Sequence, residues 1–173
     1  MKATLRPGLS PILRTSLALL TGLFLAGASP AQEAPLLAKG QTLYLPVYSH
    51  FWHGNLDKAG NPEKSYLSAL ISLRNTDPKS AIRILSARYY DTGGKLLKEF
   101  VPTAKVVPPL ATLELFIERK ESEGGSGANF IVRWQADGAA PVNTPQVEAL
   151  HVDMYATRAV SFITTARPIV ERD

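Results

Sequence analysis

The segment His50-Phe51-Trp52-His53-Gly54 holds the side chains of this sequence that are best suited to binding. Two imidazoles and two aromatic rings stand beside a glycine, at the start of the polar stretch 54–64, which is typical of a loop. A large aromatic residue in a loop on a rigid scaffold contacts a partner more often than it fills space. The sequence therefore predicts a ligand- or partner-binding site at His50, Phe51, Trp52 and His53. The alternative is that Phe51 or Trp52 caps one end of the fold, since aromatic residues are highly buried on average.

The three histidines of the chain, His50, His53 and His151, also form a candidate metal site. Neutral imidazoles suit Cu(II) and Zn(II), and Asp153 or Met154 would be further ligands. Residues three apart on a regular strand point to opposite faces, so His50 and His53 converge only if the chain bends between them. The alternative interpretation is that these histidines fix the loop through hydrogen bonds.

Catalytic motifs are incomplete in this chain. The run Gly124-Gly125-Ser126-Gly127-Ala128 comes near the nucleophile elbow of hydrolases, but it ends in alanine and follows a charged stretch instead of a buried strand. Phe130 stands where a dinucleotide-binding fingerprint needs its last glycine. Glu118, Glu121 and Glu123 form no pair that suggests acid–base chemistry. We therefore predict no enzymatic activity and no cofactor, and we interpret the glycines as a turn that packs closely on a neighbouring strand.

The elements that must position these groups have an apolar period of two, which is typical of half-buried strands. The hairpin signal is clearest where Asp91-Thr92-Gly93-Gly94 joins two such runs, Ile82–Tyr90 and Lys95–Val101. Pro46 in the run Thr42–Tyr48 indicates an edge strand, because proline cannot donate to a ladder. Further strands are expected at residues 66–74, 112–118, 129–136, 147–156 and 160–170, the second and third of these as partners.

Seven or eight short strands and no helical period after the first 31 residues predict an all-β fold. The expected architecture is a single antiparallel immunoglobulin-like β-sandwich over residues 41–173, with a small β-barrel as the alternative. Trp134 shares a face with Phe130 and Val132 and is expected in the core, whereas Trp52 is the tryptophan expected at the surface. The other core residues expected are Leu67, Ile71, Leu73, Leu113 and Leu115.

Residues 1–31 have the layout of a secretory signal peptide, with three cations, an apolar run at Leu17–Ala28 and small residues after it. The apolar run is shorter than the roughly 20 residues that a membrane-spanning helix needs. Cleavage after Ala28 and cleavage after Ala31 both satisfy the small-residue rule. We expect a periplasmic or secreted protein with a flexible leader at residues 32–40 and no stable membrane insertion after cleavage.

Charge and cysteine content exclude several classes of protein. The chain has 19 Lys and Arg against 15 Asp and Glu, a net charge of +4. Removal of the three cations of the signal segment leaves 16 against 15, so the mature domain is nearly neutral. A neutral domain does not predict nucleic-acid binding. With no cysteine, the chain has neither a disulfide scaffold nor a thiol for a lipid anchor.

Five motifs follow one another in a specific order: LYLPVYSH at 43–50, His53-Gly54, SLRNTD at 72–77, YYDTGGKL at 89–96 and GGSGANFIVRW at 124–134. In this order they resemble a bacterial family of exported proteins called domain of unknown function 3124. The resemblance covers about residues 41–170. It implies an exported, β-rich domain with no established activity, and it supplies no catalytic residue.

Together these patterns predict an exported cell-envelope protein that is a non-enzymatic binding or protein-interaction module. Its partner is expected to be an envelope protein or a small ligand. The alternative is a periplasmic metal-binding protein that holds Cu or Zn through His50, His53 and His151, and a hydrolase comes third. A cluster of the three histidines would favour the metal protein, whereas an exposed aromatic residue or a free strand edge would favour the interaction module.

Overall fold

Strands form the regular structure of the computed structural model, which describes residues 37–155 and 158–170. The predicted signal segment, both predicted cleavage sites and the predicted leader up to residue 36 lie outside the described residues. Among those described, no helix has the length and apolar character needed to cross a bilayer. The strands are β1 (Leu37–Ala38), β2 (Gly40–Pro46), β3 (His50–His53), β4 (Glu63–Tyr66), β5 (Ser68–Arg74), β6 (Ile82–Tyr90), β7 (Leu96–Glu99), β8 (Lys105–Val107), β9 (Thr112–Ile117), β10 (Asn129–Ala136), β11 (Val142–Asn143), β12 (Gln146–Tyr155), β13 (Arg158–Thr165) and β14 (Arg167–Ile169).

Two antiparallel sheets enclose the core. One has the order β14-β2-β10-β6-β7, with β8 also paired to β6, and the other has the order β13-β12-β5-β9. Two short ribbons, β1 with β11 and β3 with β4, complete the pairing within the described part of the chain. A single cluster of buried apolar side chains draws on both sheets, and neither sheet closes on itself. The predicted all-β sandwich is confirmed.

The core contains the residues that the alternation assigns to it. Trp134 and Phe130 are fully buried, as are Ile71 and Leu73 on the opposing sheet. Leu113 is the exception, because it packs against the core while remaining partly exposed. A period of two therefore identified the buried face of these strands correctly.

The predicted partnership of residues 112–118 with 129–136 is wrong. Strand β9 pairs with β5, whereas β10 lies between β2 and β6 in the other sheet. The physical reason is that the glycine-rich link between β9 and β10 crosses from one sheet to the other. Sequence neighbours joined by a long link have no short turn to fix their pairing.

Strand β2 is an interior strand and not the predicted edge strand. Pro46 nevertheless removes no ladder hydrogen bond, because β14 pairs only with the residues Thr42, Leu43 and Tyr44. The carbonyl of Pro46 accepts a hydrogen bond from the Thr164 hydroxyl at 2.6 Å. Pro46 thus lies opposite Asn129 of β10 but beyond the last residue that β14 pairs, where its missing N–H costs nothing.

Part of the predicted leader belongs to the sandwich. Leu37–Ala38 pairs with Val142–Asn143, and Gly40 begins β2 opposite Gln135. A Cβ atom at Gly40 would lie 2.7 Å from the carbonyl oxygen of Trp134. This close approach of two backbones requires glycine.

Candidate functional site

The predicted binding segment forms β3, which pairs with β4 in an antiparallel ribbon, called here the β3–β4 hairpin. Its register places His50 opposite Tyr66 and His53 opposite Glu63. Gly54 leaves β3 with φ of 69°, and a Cβ there would lie 2.6 Å from the Glu63 carboxylate. The loop that follows is ordered by Asp57, whose carboxylate accepts two backbone N–H bonds that lower its pKa. Glycine and Asp57 thus provide the turn that the sequence pattern predicts.

One surface of the hairpin, called here the Trp52 face, carries four side chains: His50, Trp52, Lys64 and Tyr66. The indole of Trp52 is 48% exposed, which confirms its predicted surface position. The Lys64 ammonium lies 4.7 Å from the centre of the Trp52 ring and 5.5 Å from that of Tyr66. The imidazole of His50 is buried edge-on against Trp52, with ring centres 5.0 Å apart. Burial, and then Lys64, lower the pKa of His50, while Glu121 opposes the shift.

The opposite surface, called here the His53 face, carries Phe51, His53 and Ser65. The Nε2 atom of His53 lies 2.9 Å from the Ser65 hydroxyl oxygen, and Nδ1 lies 3.7 Å from the Glu63 carboxylate. Phe51 stands beside His53 with ring centres 5.5 Å apart. This face borders a cleft of about 310 Å³ whose far wall includes Arg119, Asp153 and Val160.

The hairpin is tied to the sandwich by backbone hydrogen bonds around Ser49. Its N–H donates to the Gly125 carbonyl at 3.0 Å, and its carbonyl accepts from the Leu67 N–H at 2.9 Å. Arg119 adds a side-chain tie, because it donates to the Tyr66 carbonyl and pairs with Asp153 at 3.1 Å. The aromatic side chains therefore stand on a ribbon whose base is fixed to the sandwich.

The glycine-rich run lies against the structure as a close-packed turn. A Cβ atom at Gly124 would overlap the hydroxyl of Tyr89, and Gly125 has φ of 81°. The Glu121 carboxylate accepts the Tyr89 hydroxyl at 2.7 Å and the Gly124 N–H at 3.0 Å. Glu118 pairs with Lys120. Glu121 holds the turn in place, and the interpretation of the glycines as a packed turn is confirmed.

His151 lies in the core, away from the hairpin histidines. Its Nε2 accepts the Tyr48 N–H at 3.1 Å, and its ring stacks on Phe162 with centres 4.5 Å apart. Burial lowers its pKa to about 4, against a smaller opposing effect of nearby backbone carbonyls. Nδ1 completes no hydrogen bond within the described residues.

The three histidines therefore do not converge. His50 and His53 occupy opposite faces of the hairpin, as a regular strand requires, and His151 is enclosed in the sandwich. Asp153 is paired with Arg119, and Met154 is 75% exposed. Across residues 37–155 and 158–170, no three His, Cys, Asp or Glu side chains come together as a metal site. The three-histidine metal hypothesis lacks the geometry that it needs.

Comparison with known proteins assigns the family. The family model described as "Protein of unknown function (DUF3124)" matches residues 40–169. The chain belongs to this family. No curated protein matches the chain. A solved structure titled "Crystal Structure of Thermotoga maritima 1070" is similar to 73% of this chain and 92% of its own, with a TM-score of 0.41 and 9% identity.

In this DUF3124 domain, the sequence pattern does not reveal half of the site. It assigns residues 54–64 to a loop, whereas β4 begins at Glu63 and brings Lys64, Ser65 and Tyr66 against β3. A strand of four residues is too short for its alternation to stand out. The signal that could have found it is the turn chemistry of Asp57 and Gly60, which predicts that the chain reverses there.

A second opening lies on the other side of the glycine-rich turn. It is a cleft of about 560 Å³ between β7 and β9, with Tyr89, Phe100 and Phe116 among its lining. Phe116 is exposed and aligns across β5 and β12 with Leu70, and then Leu150. The surface thus offers exposed aromatic residues at two separate places, which allows each to serve as the control for the other.

Proposed function

We propose that this protein is an exported, non-enzymatic binding module of the cell envelope, and that the β3–β4 hairpin is its binding element. The observation that carries the proposal is the exposed indole of Trp52 on an ordered ribbon. The other tryptophan of the chain, Trp134, is 2% exposed and belongs to the core. A large apolar ring held in water loses favourable burial, so its placement is best explained by contact with a partner.

The way the hairpin is held supports a binding role. Hydrogen bonds at Ser49 and the Arg119–Asp153 pair fix the ribbon before any partner arrives. A fixed surface loses little conformational entropy on binding, so more of the contact energy is available as affinity. The aromatic rings are also attached by short side chains with few rotatable bonds, which lowers the same cost.

The geometry of the polar groups on the His53 face favours a structural role for them and not a catalytic one. Ser65, His53 and Glu63 stand in the order of a hydrolase triad, with the hydroxyl 2.9 Å from the imidazole. The Glu63 carboxylate, however, lies 3.7 Å from His53 and its side chain is 65% exposed. A solvated carboxylate at that distance orients an imidazole weakly. We therefore assign these groups to cross-strand hydrogen bonding that stiffens the hairpin.

Co-sedimentation tests the proposal. The mature protein is mixed with cell-wall polysaccharide and, separately, with outer-membrane vesicles, and the bound fraction is measured against protein concentration. We expect saturable binding to one of these materials, weakened at least tenfold by Trp52→Ala and unchanged by Phe116→Ala. Both variants should keep the thermal midpoint of the wild type, since both rings are exposed.

Four results would contradict the proposal. Wild-type protein that binds neither material would remove the binding role in the envelope. Equal binding by wild type and Trp52→Ala would remove the hairpin as the element, and loss of binding with Phe116→Ala alone would move the site to the cleft between β7 and β9. Hydrolysis of ester or peptide substrates by the wild type, lost in Ser65→Ala, would show that the protein is an enzyme.

A further inference from the structure

The Trp52 face carries a positive charge that the protein does not neutralise. Arg119 pairs with Asp153, and Lys120 pairs with Glu118. The ammonium of Lys64, in contrast, has no carboxylate within ion-pair distance among the described residues and lies between two aromatic rings. An exposed cation held in this way is available to an anion from outside.

Neither neighbouring carboxylate forms an ion pair with Lys64 among the described residues. Glu63, next to Lys64 in the chain, directs its carboxylate to His53 on the opposite face of the hairpin. The Glu121 carboxylate is engaged elsewhere, with one oxygen accepting the Tyr89 hydroxyl and the other accepting the N–H groups of Glu123 and Gly124. The Trp52 face therefore combines an available cation with two exposed rings.

Uronic acids match this combination. A uronic acid has an apolar C–H surface on its sugar ring and a carboxylate attached to the same ring. The first suits the face of an indole or a phenol, and the second suits an ammonium. Neutral sugars would leave Lys64 unpaired, and simple acidic chains would leave the rings without a contact.

We propose that the Trp52 face binds a uronic-acid polysaccharide, with a sugar ring stacked on Trp52 and its carboxylate paired with Lys64. This inference rests on the proposed binding function of the hairpin. Trp52 and Tyr66 occupy diagonal positions on the ribbon, which places their Cα atoms about 7–8 Å apart, so the two rings contact different sugar units. Past Tyr66 a cleft of about 390 Å³ beside Lys120 and Ser122 gives the polymer room to continue.

Tryptophan fluorescence provides a direct test, because only Trp52 and Trp134 emit and Trp134 is enclosed in the core. The mature protein is titrated at low salt with polygalacturonate, with neutral dextran and with polyglutamate. We expect a saturable change in emission with polygalacturonate and none with the other two polymers. The Trp52→Phe variant, in which only Trp134 emits, should show no change.

Substitution of the cation separates its role from that of the rings. Lys64→Gln should weaken polygalacturonate binding at least tenfold, Lys64→Arg should retain it, and the exposed Lys95→Gln in the turn before β7 should have no effect. Both positions are exposed, and equal thermal midpoints verify that the fold is intact.

The outcomes that overturn the inference are specific. Equal binding of polyglutamate means that Lys64 attracts any polyanion, and equal binding by Lys64→Gln removes the cation from the site. Absence of polygalacturonate binding, together with Trp52-dependent binding to envelope material, overturns the ligand class and leaves the proposed function standing. Absence of both overturns the proposed function as well.

Discussion

The buried imidazole of His151 makes the stability of the fold depend on pH. The pKa of His151 in the folded protein is about 4, because its ring is enclosed between Tyr48 and Phe162. In the unfolded chain an ordinary histidine has a pKa near 6.5. Below pH 6.5 the unfolded state therefore takes up a proton that the folded state refuses, and the folded state loses stability until the pH reaches about 4.

The size of this effect follows from the two pKa values. Integration of the difference in bound protons gives a loss of about 2 kcal/mol in the free energy of unfolding between pH 7 and pH 5. Asp57 and Asp77 have pKa values lowered by backbone hydrogen bonds, so they remain ionised over this range. The pKa of His50 is lowered as well, so His50 also reduces the stability of the folded state as the pH falls. The experiment must therefore separate the contribution of His151 from that of His50.

Urea unfolding at pH 7 and pH 5 isolates the contribution of His151. The free energy of unfolding is measured for the wild type and for His151→Leu, and only the change between the two pH values is compared. The variant also loses the acceptor of the Tyr48 N–H, which lowers its stability at both pH values alike. We expect the variant to lose about 2 kcal/mol less than the wild type on acidification. Equal losses in the two proteins would refute the argument that His151 is held neutral by burial.

Three further predictions concern the fold and the export signal. Trp134→Ala should lower the free energy of unfolding by about 3–5 kcal/mol in urea, because the indole fills the core, and a loss under about 1 kcal/mol would place it at the surface. Gly124→Ala should lower the thermal midpoint, because its Cβ would overlap the Tyr89 hydroxyl, whereas Gly138→Ala, with no atom within 4 Å of its Cβ, should not. Intact-mass analysis of periplasmic or secreted protein should show loss of the first 28 or 31 residues, and a full-length chain in a membrane fraction would contradict export.

The buried strands were predictable because their side chains obey a local rule. Phe130, Val132 and Trp134 share one face of β10 and are all buried, while the other face carries the polar residues Arg133 and Gln135 beside Ile131. The same reasoning separated the two tryptophans, since Trp52 stands beside a glycine and a polar loop. In each case the information lies within a few residues along the chain, where period and turn chemistry operate.

The pairing of strands was not predictable in the same way. Strands β9 and β10 are neighbours in sequence but belong to different sheets, and Pro46 lies in an interior strand. Register and partner depend on which backbones meet in space, and a long link between two strands does not restrict that choice. The sequence pattern did not predict the short strand β4 for a related reason, because only its pairing with β3 makes it a strand.

The sequence by itself determines the strand pattern, the burial of Trp134, the exposure of Trp52 and the separation of His50 from His53. Each of these features rests on patterns within one strand or its adjoining turn. Tertiary structure alone decided that His151 enters the core while Leu150 remains exposed, since the register of β12 against β5 puts His151 opposite Ala69. It also decided that Lys64 lies between Trp52 and Tyr66. Contacts across strands join residues far apart in the chain, and no local period encodes them.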